Sequence, residues 1–409
     1  MMNEITNYEL KSQLKKVERS VKIRYGLLIL PLVIFLLFTF IWPIAELLKR
    51  SFVSPEVSAA MPNVSAELKH WDGKGVPSDA VYKALLKDLV IGKGSSYLAT
   101  AIKRINLEEP GLRTLLSNAA RSAKAEDIKD ARQYLLSLDS QWGERHVWSA
   151  IARGASYITP SYLLAAIDLE IGVDGKVGVV PDDKALFGSV LFRTFWMSFV
   201  VSAWCLALGF PVAYFLSTQR PAVANLLMIF VLLPFWTSIL VRVASWILIL
   251  QNEGLLNSLL MYLGLIDNPV QFLFSRFGVY ISMIHIMLPF MILPMYSVMK
   301  GISPNYMRAA MSLGCSPFVS FLKVYIPQAM PGIGAGSLLV FILCTGYYIT
   351  PALLGSPKEQ MTSYFIAFFT NQTINWGMAA ALSAVLLAST TILYTGYSYF
   401  VRTQGASKN

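Results

Sequence analysis

Six apolar stretches recur along the 409-residue chain, at about 26–48, 186–217, 223–250, 277–299, 332–353 and 376–401. A helix of roughly 20 residues crosses the hydrocarbon core of a bilayer, and lipid offers the backbone no partner outside the helix itself. None of the six is free of proline or glycine, which membrane helices tolerate. Hydrophobic residues make up 55% of the chain and charged residues only 14%, against about 25% charged in soluble domains. The chain is therefore expected to be an all-α membrane protein with six transmembrane helices. The first stretch, from Gly26 to Leu48, outlasts a signal-peptide core, and no small-residue cleavage site follows it, so it is read as a retained helix.

Charge gives the orientation. Lys11, Lys15, Lys16, Arg19, Lys22 and Arg24 precede the first helix against Glu4, Glu9 and Glu18, which places this end in the cytoplasm. Six crossings return Arg402 and Lys408 to the same side, with Arg220 at a cytoplasmic turn. The expected segments are a cytoplasmic N-terminus (1–25), the first helix (26–52), an external insert (53–184), a core with five transmembrane helices (185–401) and a cytoplasmic tail (402–409). The insert holds 16 basic and 17 acidic residues, leaving 18 basic and 7 acidic elsewhere. That excess is a topology signal. No basic stripe carries interleaved aromatics, so nucleic acid is not an expected partner. Within the insert, 80–90 and 126–138 show apolar residues at three- and four-residue spacing, predicting a mainly helical domain. Residues 169–183 read as a looped or hairpin-like return turning at Asp174-Gly175. Cys205, Cys315 and Cys344 form no disulfide framework.

Motifs for autonomous chemistry are missing. Gly92-Lys93-Gly94-Ser95 lacks the spacing of a phosphate loop, and neither a zinc-protease helix nor a nucleophile elbow is found. His70, His146 and His285 have no metal-site spacing; His285 reads as a hydrogen-bonded interhelical histidine, the alternative being a proton relay. No cofactor is expected on this chain, and it is not expected to be an enzyme. An autonomous secondary transporter or channel stays open as the alternative function, although it calls for ionisable residues deep in several helices, and these are scarce.

The connection "ISPNYMRAAMSLGCSPFVSFLKVYIPQAMPG" (302–332) is far longer than two helices need. Ser303 can cap a helix that Pro304 opens, Gly314 stops it, and Ser316-Pro317 starts a second by the same device. Phe318, Phe321, Leu322 and Tyr325 form an apolar face on the second helix, which Pro327 and Pro331 are expected to end. A cytoplasmic helix-turn-helix follows, either gripped by a partner or resting on lipid.

This segment resembles the "EAA" motif of binding-protein-dependent ABC importer permeases, through Arg308-Ala309-Ala310-Met311-Ser312-Leu313-Gly314 and then Phe321, Val324 and Pro327. The flanking "LLPFWTSILVR" (232–242), "GLLNSLL" (254–260), "MLPFMILPMY" (287–296) and "TPALLG" (350–355) resemble the spermidine/putrescine branch, and the likeness covers about residues 186–400. The resemblance implies a coupling helix that docks on an ATPase, carried by Arg308, Ala309, Ala310, Leu313, Gly314, Ser316 and Pro317. Arg308 departs from the family's usual glutamate, which reverses the charge at that contact. The resemblance further implies two ATPase subunits holding ATP and Mg, a second permease subunit, a periplasmic solute-binding protein and a bacterial inner-membrane location. The solute class implied is a polyamine, another amine or an amino-acid-like molecule, imported by alternating access.

Residues for the translocation path are fewer. Arg242, flanked by Trp236 and Trp246, is either part of a gate or substrate-lining cluster, or a snorkelling arginine beside tryptophans of an interfacial aromatic belt. Tyr347 and Tyr348 stand where polyamine members carry an acidic residue, and offer either cation–π contact to an amine or packing.

Overall fold

The computed structural model describes residues 2–172, 175–181, 183 and 185–406. The chain divides into two units, Met1–Thr159 and Pro160–Asn409. Six helical stretches are long and apolar enough to cross a membrane: Val17–Lys49, Phe187–Thr218, Ile239–Tyr262, Arg276–Lys300, Pro317–Gly346 and Trp376–Tyr399.

In the first unit, α1 (Met2–Leu36) passes through a π-turn at Leu37–Ile41 into α2 (Trp42–Lys49). Pro43 follows that turn directly, where wider hydrogen bonding absorbs its missing N–H. Seven helices follow: α3 (Glu56–Ala60), α4 (Pro62–Leu68), α5 (Asp79–Ile91), α6 (Ser96–Glu108), α7 (Leu112–Ser122), α8 (Ala131–Leu138) and α9 (Arg145–Ala155). Their core centres on Tyr82, Trp142 and Trp148, all fully buried. The Tyr82 hydroxyl and the Trp148 indole N–H both donate to the Trp142 carbonyl, at 2.6 and 2.9 Å. A buried ion triad ties three elements together. Arg104 and Arg153 reach opposite oxygens of Glu108 at 2.7 and 3.0 Å, and Arg104 Nε donates to Ser54 Oγ at 2.9 Å.

The packed part of the insert stops at Thr159, short of the expected 184, because residues beyond it join a different core. In the second unit α10 (Ser161–Ala165) lays Tyr162 and Ala166 against Met378, Ala381 and Leu382 of α21 (Trp376–Ala406). The Tyr162 ring lies directly over Gly377, where an added Cβ would collide with it. Strands β1 (Leu169–Ile171) and β2 (Val177–Val179) pair antiparallel, forming the hairpin expected there. Asp174 of the expected turn lies outside the described residues, as do Lys408 and the rest of 407–409. Asp168, just before β1, accepts from the amides of Leu186, Phe187 and Gly188 at 3.0, 2.8 and 2.6 Å. A carboxylate thus caps α11 (Phe187–Thr218) from outside the helix, matching its dipole.

Two expected spans move. The apolar stretch 223–250 is not one helix. It is α12 (Pro221–Leu232), a 3₁₀ turn at Leu233–Trp236, a break, then α13 (Ile239–Leu250) and α14 (Leu255–Tyr262). Pro234 cannot donate to the helix, Ser238 is extended, and the Pro234 carbonyl accepts from the Thr237 amide and Oγ1 at 3.3 and 2.9 Å, which closes the turn. The helix expected at 332–353 instead runs from Pro317 to Gly346. α17 (Pro317–Ser320) enters a π-turn at Phe321–Tyr325 and continues as α18 (Ile326–Gly346), so Pro327 and Pro331 end nothing. The π-turn precedes Pro327 as the earlier one precedes Pro43, and Gln328 Nε2 donates to the Val324 carbonyl at 2.8 Å. After Gly346 the backbone extends at Tyr347, and α19 (Ile349–Leu354) and α20 (Thr362–Asn371) are separate short helices.

The core of the second unit is a ridge meeting two shallow faces. On α15 (Arg276–Lys300), Met283, Met287, Met291, Met295 and Met299 recur every four residues and are buried. Opposite stand small residues: Ser198, Ser202, Cys205, Gly209 and Ala213 on α11, and Ala329, Gly332, Gly336 and Cys344 on α18. Small residues let helix backbones approach where lipid supplies no hydrophobic drive, and flexible methionines fill what remains. Ser202 Oγ donates to the Ser337 carbonyl at 3.1 Å and Thr345 Oγ1 to Ser198 Oγ at 3.3 Å, linking α11 to α18.

Candidate docking hairpin and membrane-embedded polar cluster

The hairpin follows from its capping residues. In α16 (Pro304–Ser312), Ser303 Oγ accepts from the Asn305 amide at 3.4 Å, and Pro304 occupies the first turn. At the other end the Gly314 amide reaches the Met311 carbonyl at 3.0 Å and the Cys315 amide reaches Ala310 at 3.1 Å. This is the paired closure of a Schellman stop, and it requires the φ of +93° that Gly314 adopts. Ser316 Oγ then accepts from the Val319 amide at 3.4 Å, and α17 begins at Pro317.

The turn presents apolar surface. Leu313 is 86% exposed and Phe318 70% exposed, while Ala310 is buried. Arg308 and Ala309 are exposed on α16. The base is anchored in the bundle. Tyr214 of α11 meets Phe321 and Tyr325 edge-on, with centroids 5.3 and 5.2 Å apart. Lys300, at the end of α15, donates to the Ser217 and Gln219 carbonyls at 3.4 and 3.1 Å. A force on the hairpin is thus delivered to α11, α15 and α18 together.

A second group of residues lies within the membrane-spanning helices. Arg242, in the first turn of α13, carries Nε and Nη1 buried and without a hydrogen-bond partner among the described residues. Trp246, one turn along from Arg242, donates from its indole to His285 Nδ1 at 3.3 Å. Trp246, expected from sequence, thus meets His285, which takes the expected interhelical hydrogen bond, while the Tyr347 hydroxyl accepts from Thr350 Oγ1 at 3.3 Å. Trp236, 77% exposed in the break before α13, and Tyr348, 39% exposed, form no aromatic pair among the described residues.

Sequence reading missed Glu359. The core after residue 185 has three acidic residues, Glu253, Asp267 and Glu359, and only Glu359 is buried. It accepts two hydrogen bonds from Arg276, at 2.8 and 3.2 Å, while Arg193 donates to the neighbouring Lys358 carbonyl. The loop 357–359 is thereby latched to the first turns of α11 and α15. The scarcity of acids was the only sequence signal. Glu359→Gln should leave Arg276 half-exposed and unpaired, lowering stability by about 2 kcal/mol, below the full cost of breaking a fully buried pair. A clear fall in the thermal midpoint in detergent is expected, with Glu359→Asp falling less; an unchanged midpoint would remove the latch.

Residues 206–404 match the family described as "Binding-protein-dependent transport system inner membrane component". The spermidine/putrescine transport system permease protein PotB of Escherichia coli strain K12 is 34% identical over 201 residues, covering 49% of this chain and 73% of that protein. The chain belongs to this family. It is the permease subunit of an ABC importer and a multi-pass inner-membrane protein. PotB of Haemophilus influenzae is 34% identical over 212 residues, covering 51% of the permease and 74% of that relative. The inner membrane ABC transporter permease protein YdcU of E. coli is 32% identical over 243 residues, covering 54% and 75%. The family match takes in α12 to α20 with the hairpin and the polar cluster, and it leaves the helical insert of the permease outside.

Proposed function

We propose that this permease carries a small amine-bearing organic solute from periplasm to cytoplasm by alternating access. It acts as one of two permease subunits above two cytoplasmic ATPases, with a periplasmic binding protein delivering the solute. Both termini are cytoplasmic and the insert is periplasmic. ATP and Mg bind at the ATPase subunits. The hairpin of α16 and α17 is the coupling element, and Arg308 faces an acidic group on its ATPase. The amine class is supported by the spermidine/putrescine relatives.

The observation that carries this reading is the rigid, doubly capped hairpin offering Leu313 and Phe318 outward while its base is held by three core helices. The test is Gly314→Val. A side chain at φ +93° costs about 1–3 kcal/mol and more when β-branched, although nothing lies within 4 Å to clash with it. The strain acts on the turn alone. ATPase copurification should fall at least tenfold with the permease still folded; unchanged stoichiometry together with unchanged transport would overturn the assignment.

A further inference from the structure

We propose that the seam between α11, α18 and α21 holds one acyl chain of a bilayer phospholipid, as a bound component of the permease lying apart from the solute path.

A cavity of about 450 Å³ opens in that seam. Phe199 and Leu206 of α11, Phe341 and Ile342 of α18, and Leu393 and Tyr394 of α21 form its walls. All six lie within membrane-spanning stretches. No charged residue lines the cavity. Its serine and threonine hydroxyls are turned to partners within the protein. Ser202 Oγ donates to the Ser337 carbonyl at 3.1 Å, Ser337 Oγ meets Met291 Sδ at 3.9 Å, and Thr390 Oγ1 donates to the Leu386 carbonyl at 2.7 Å. An ammonium entering here would shed its water and meet no counter-charge. Water itself does not fill a cavity with so apolar a lining. Left empty, the walls would forfeit their packing contacts. Hydrocarbon is the occupant that matches this surface.

Size decides which hydrocarbon. A helix about 10 Å wide fills roughly 420 Å³ with each 5.4 Å turn, so a spanning helix of a neighbouring subunit would need several times the space present. A methylene group is close to a water molecule in size, at about 30 Å³, so the cavity takes about fifteen of them. That is close to the length of a palmitoyl chain. The tail can enter sideways from the bilayer without leaving hydrocarbon, because Phe199, Leu393 and Tyr394 of the walls keep exposed surface. α21 touches α18 where the Tyr397 hydroxyl lies against Gly334, and the tail extends that contact along the seam.

The test uses the assembled transporter, this permease with its partner subunits, extracted in detergent and washed free of loosely held lipid. The probes are dipalmitoleoyl and dioctanoyl phosphatidylethanolamine, which share a headgroup and differ in tail length. Mass spectrometry of the washed wild type should find one phospholipid retained per permease. Harsher washing that strips it should lower the thermal midpoint, which the long-tailed probe restores saturably and the short-tailed probe does not. Ala203 lines the cavity. Ala203→Phe should cut retained lipid at least fivefold and leave the midpoint indifferent to either probe. Ala203→Leu adds less bulk and should show part of the same loss, which keeps the test open where the ring is not tolerated. Ile392→Phe, on exposed α21 surface outside the cavity lining, should behave as wild type. Unchanged retention in both Ala203 variants, equal rescue by the short-tailed probe, or no phospholipid retained by the wild type overturns the proposal. So does loss of the second permease subunit from the Ala203 variants with lipid retention unchanged, which would give the seam to that subunit.

Discussion

Leu313→Asp should strip the permease of its ATPase partners while leaving the fold of the chain untouched. The side chain is 86% exposed at the tip of the hairpin and touches little of its own protein, so its replacement costs the permease almost nothing. Burying a leucine in a partner's cleft yields about 1.5–3 kcal/mol. Aspartate forfeits that gain and adds a carboxylate that must be desolvated, so docking should weaken by roughly 100-fold or more. Copurification of the ATPases and ATP-driven uptake should be lost together, with the thermal midpoint of the isolated permease unchanged. Leu313→Met, which keeps the apolar volume, should retain most of both. Uptake by Leu313→Asp at the wild-type rate would mean that the hairpin tip lies against lipid or water, and the coupling role would pass elsewhere.

The hairpin was legible from sequence because its determinants are local. A serine cap, a proline in the first turn and a glycine at the stop act over four or five residues and need no distant partner. The six apolar helices were legible for a similar reason, since the membrane reads hydropathy without regard to packing. Where proline entered, the reading failed in both directions. Pro234 breaks a helix that hydropathy ran straight through, because Thr237 and Ser238 stand ready to close one segment and open the next. Pro327 and Pro331 break nothing: a π-turn ends just before Pro327, and the helix runs on through Pro331 to Gly346. Proline alone does not state which outcome follows. Long-range pairs were out of reach. Arg276 and Glu359 are 83 residues apart, and Trp246 meets His285 across 39. Asp168 capping α11 was invisible because the capping residue lies about twenty positions before the helix it serves.

Gly336→Val should cause a comparably large loss, through the bundle itself. A Cβ on Gly336 would sit 2.9 Å from the Met291 carbonyl oxygen and 3.0 Å from its sulfur. The sulfur belongs to a flexible side chain and can move. The carbonyl belongs to the backbone of α15 and moves only if the two helices separate. Gly332, one turn earlier, faces Val298 in the same way, with a Cβ placed 2.8 Å from the valine Cβ. Inserting bulk into so tight a crossing costs about 1–3 kcal/mol where side chains can yield and more where backbone must. Separation of α15 from α18 would also pull on the base of the hairpin, since Phe321 and Tyr325 lead directly into α18. Gly336→Val should therefore lower both the yield of monodisperse protein and its thermal midpoint, and Gly336→Ala should do so to a smaller degree. Gly396 on α21 has nothing within 4 Å of its Cβ position and is the matched control; Gly396→Ala should leave the midpoint unchanged or raise it, as removal of a helical glycine does. If Gly336→Val behaved like the Gly396 control, α15 and α18 would have to cross farther apart than the methionine ridge allows.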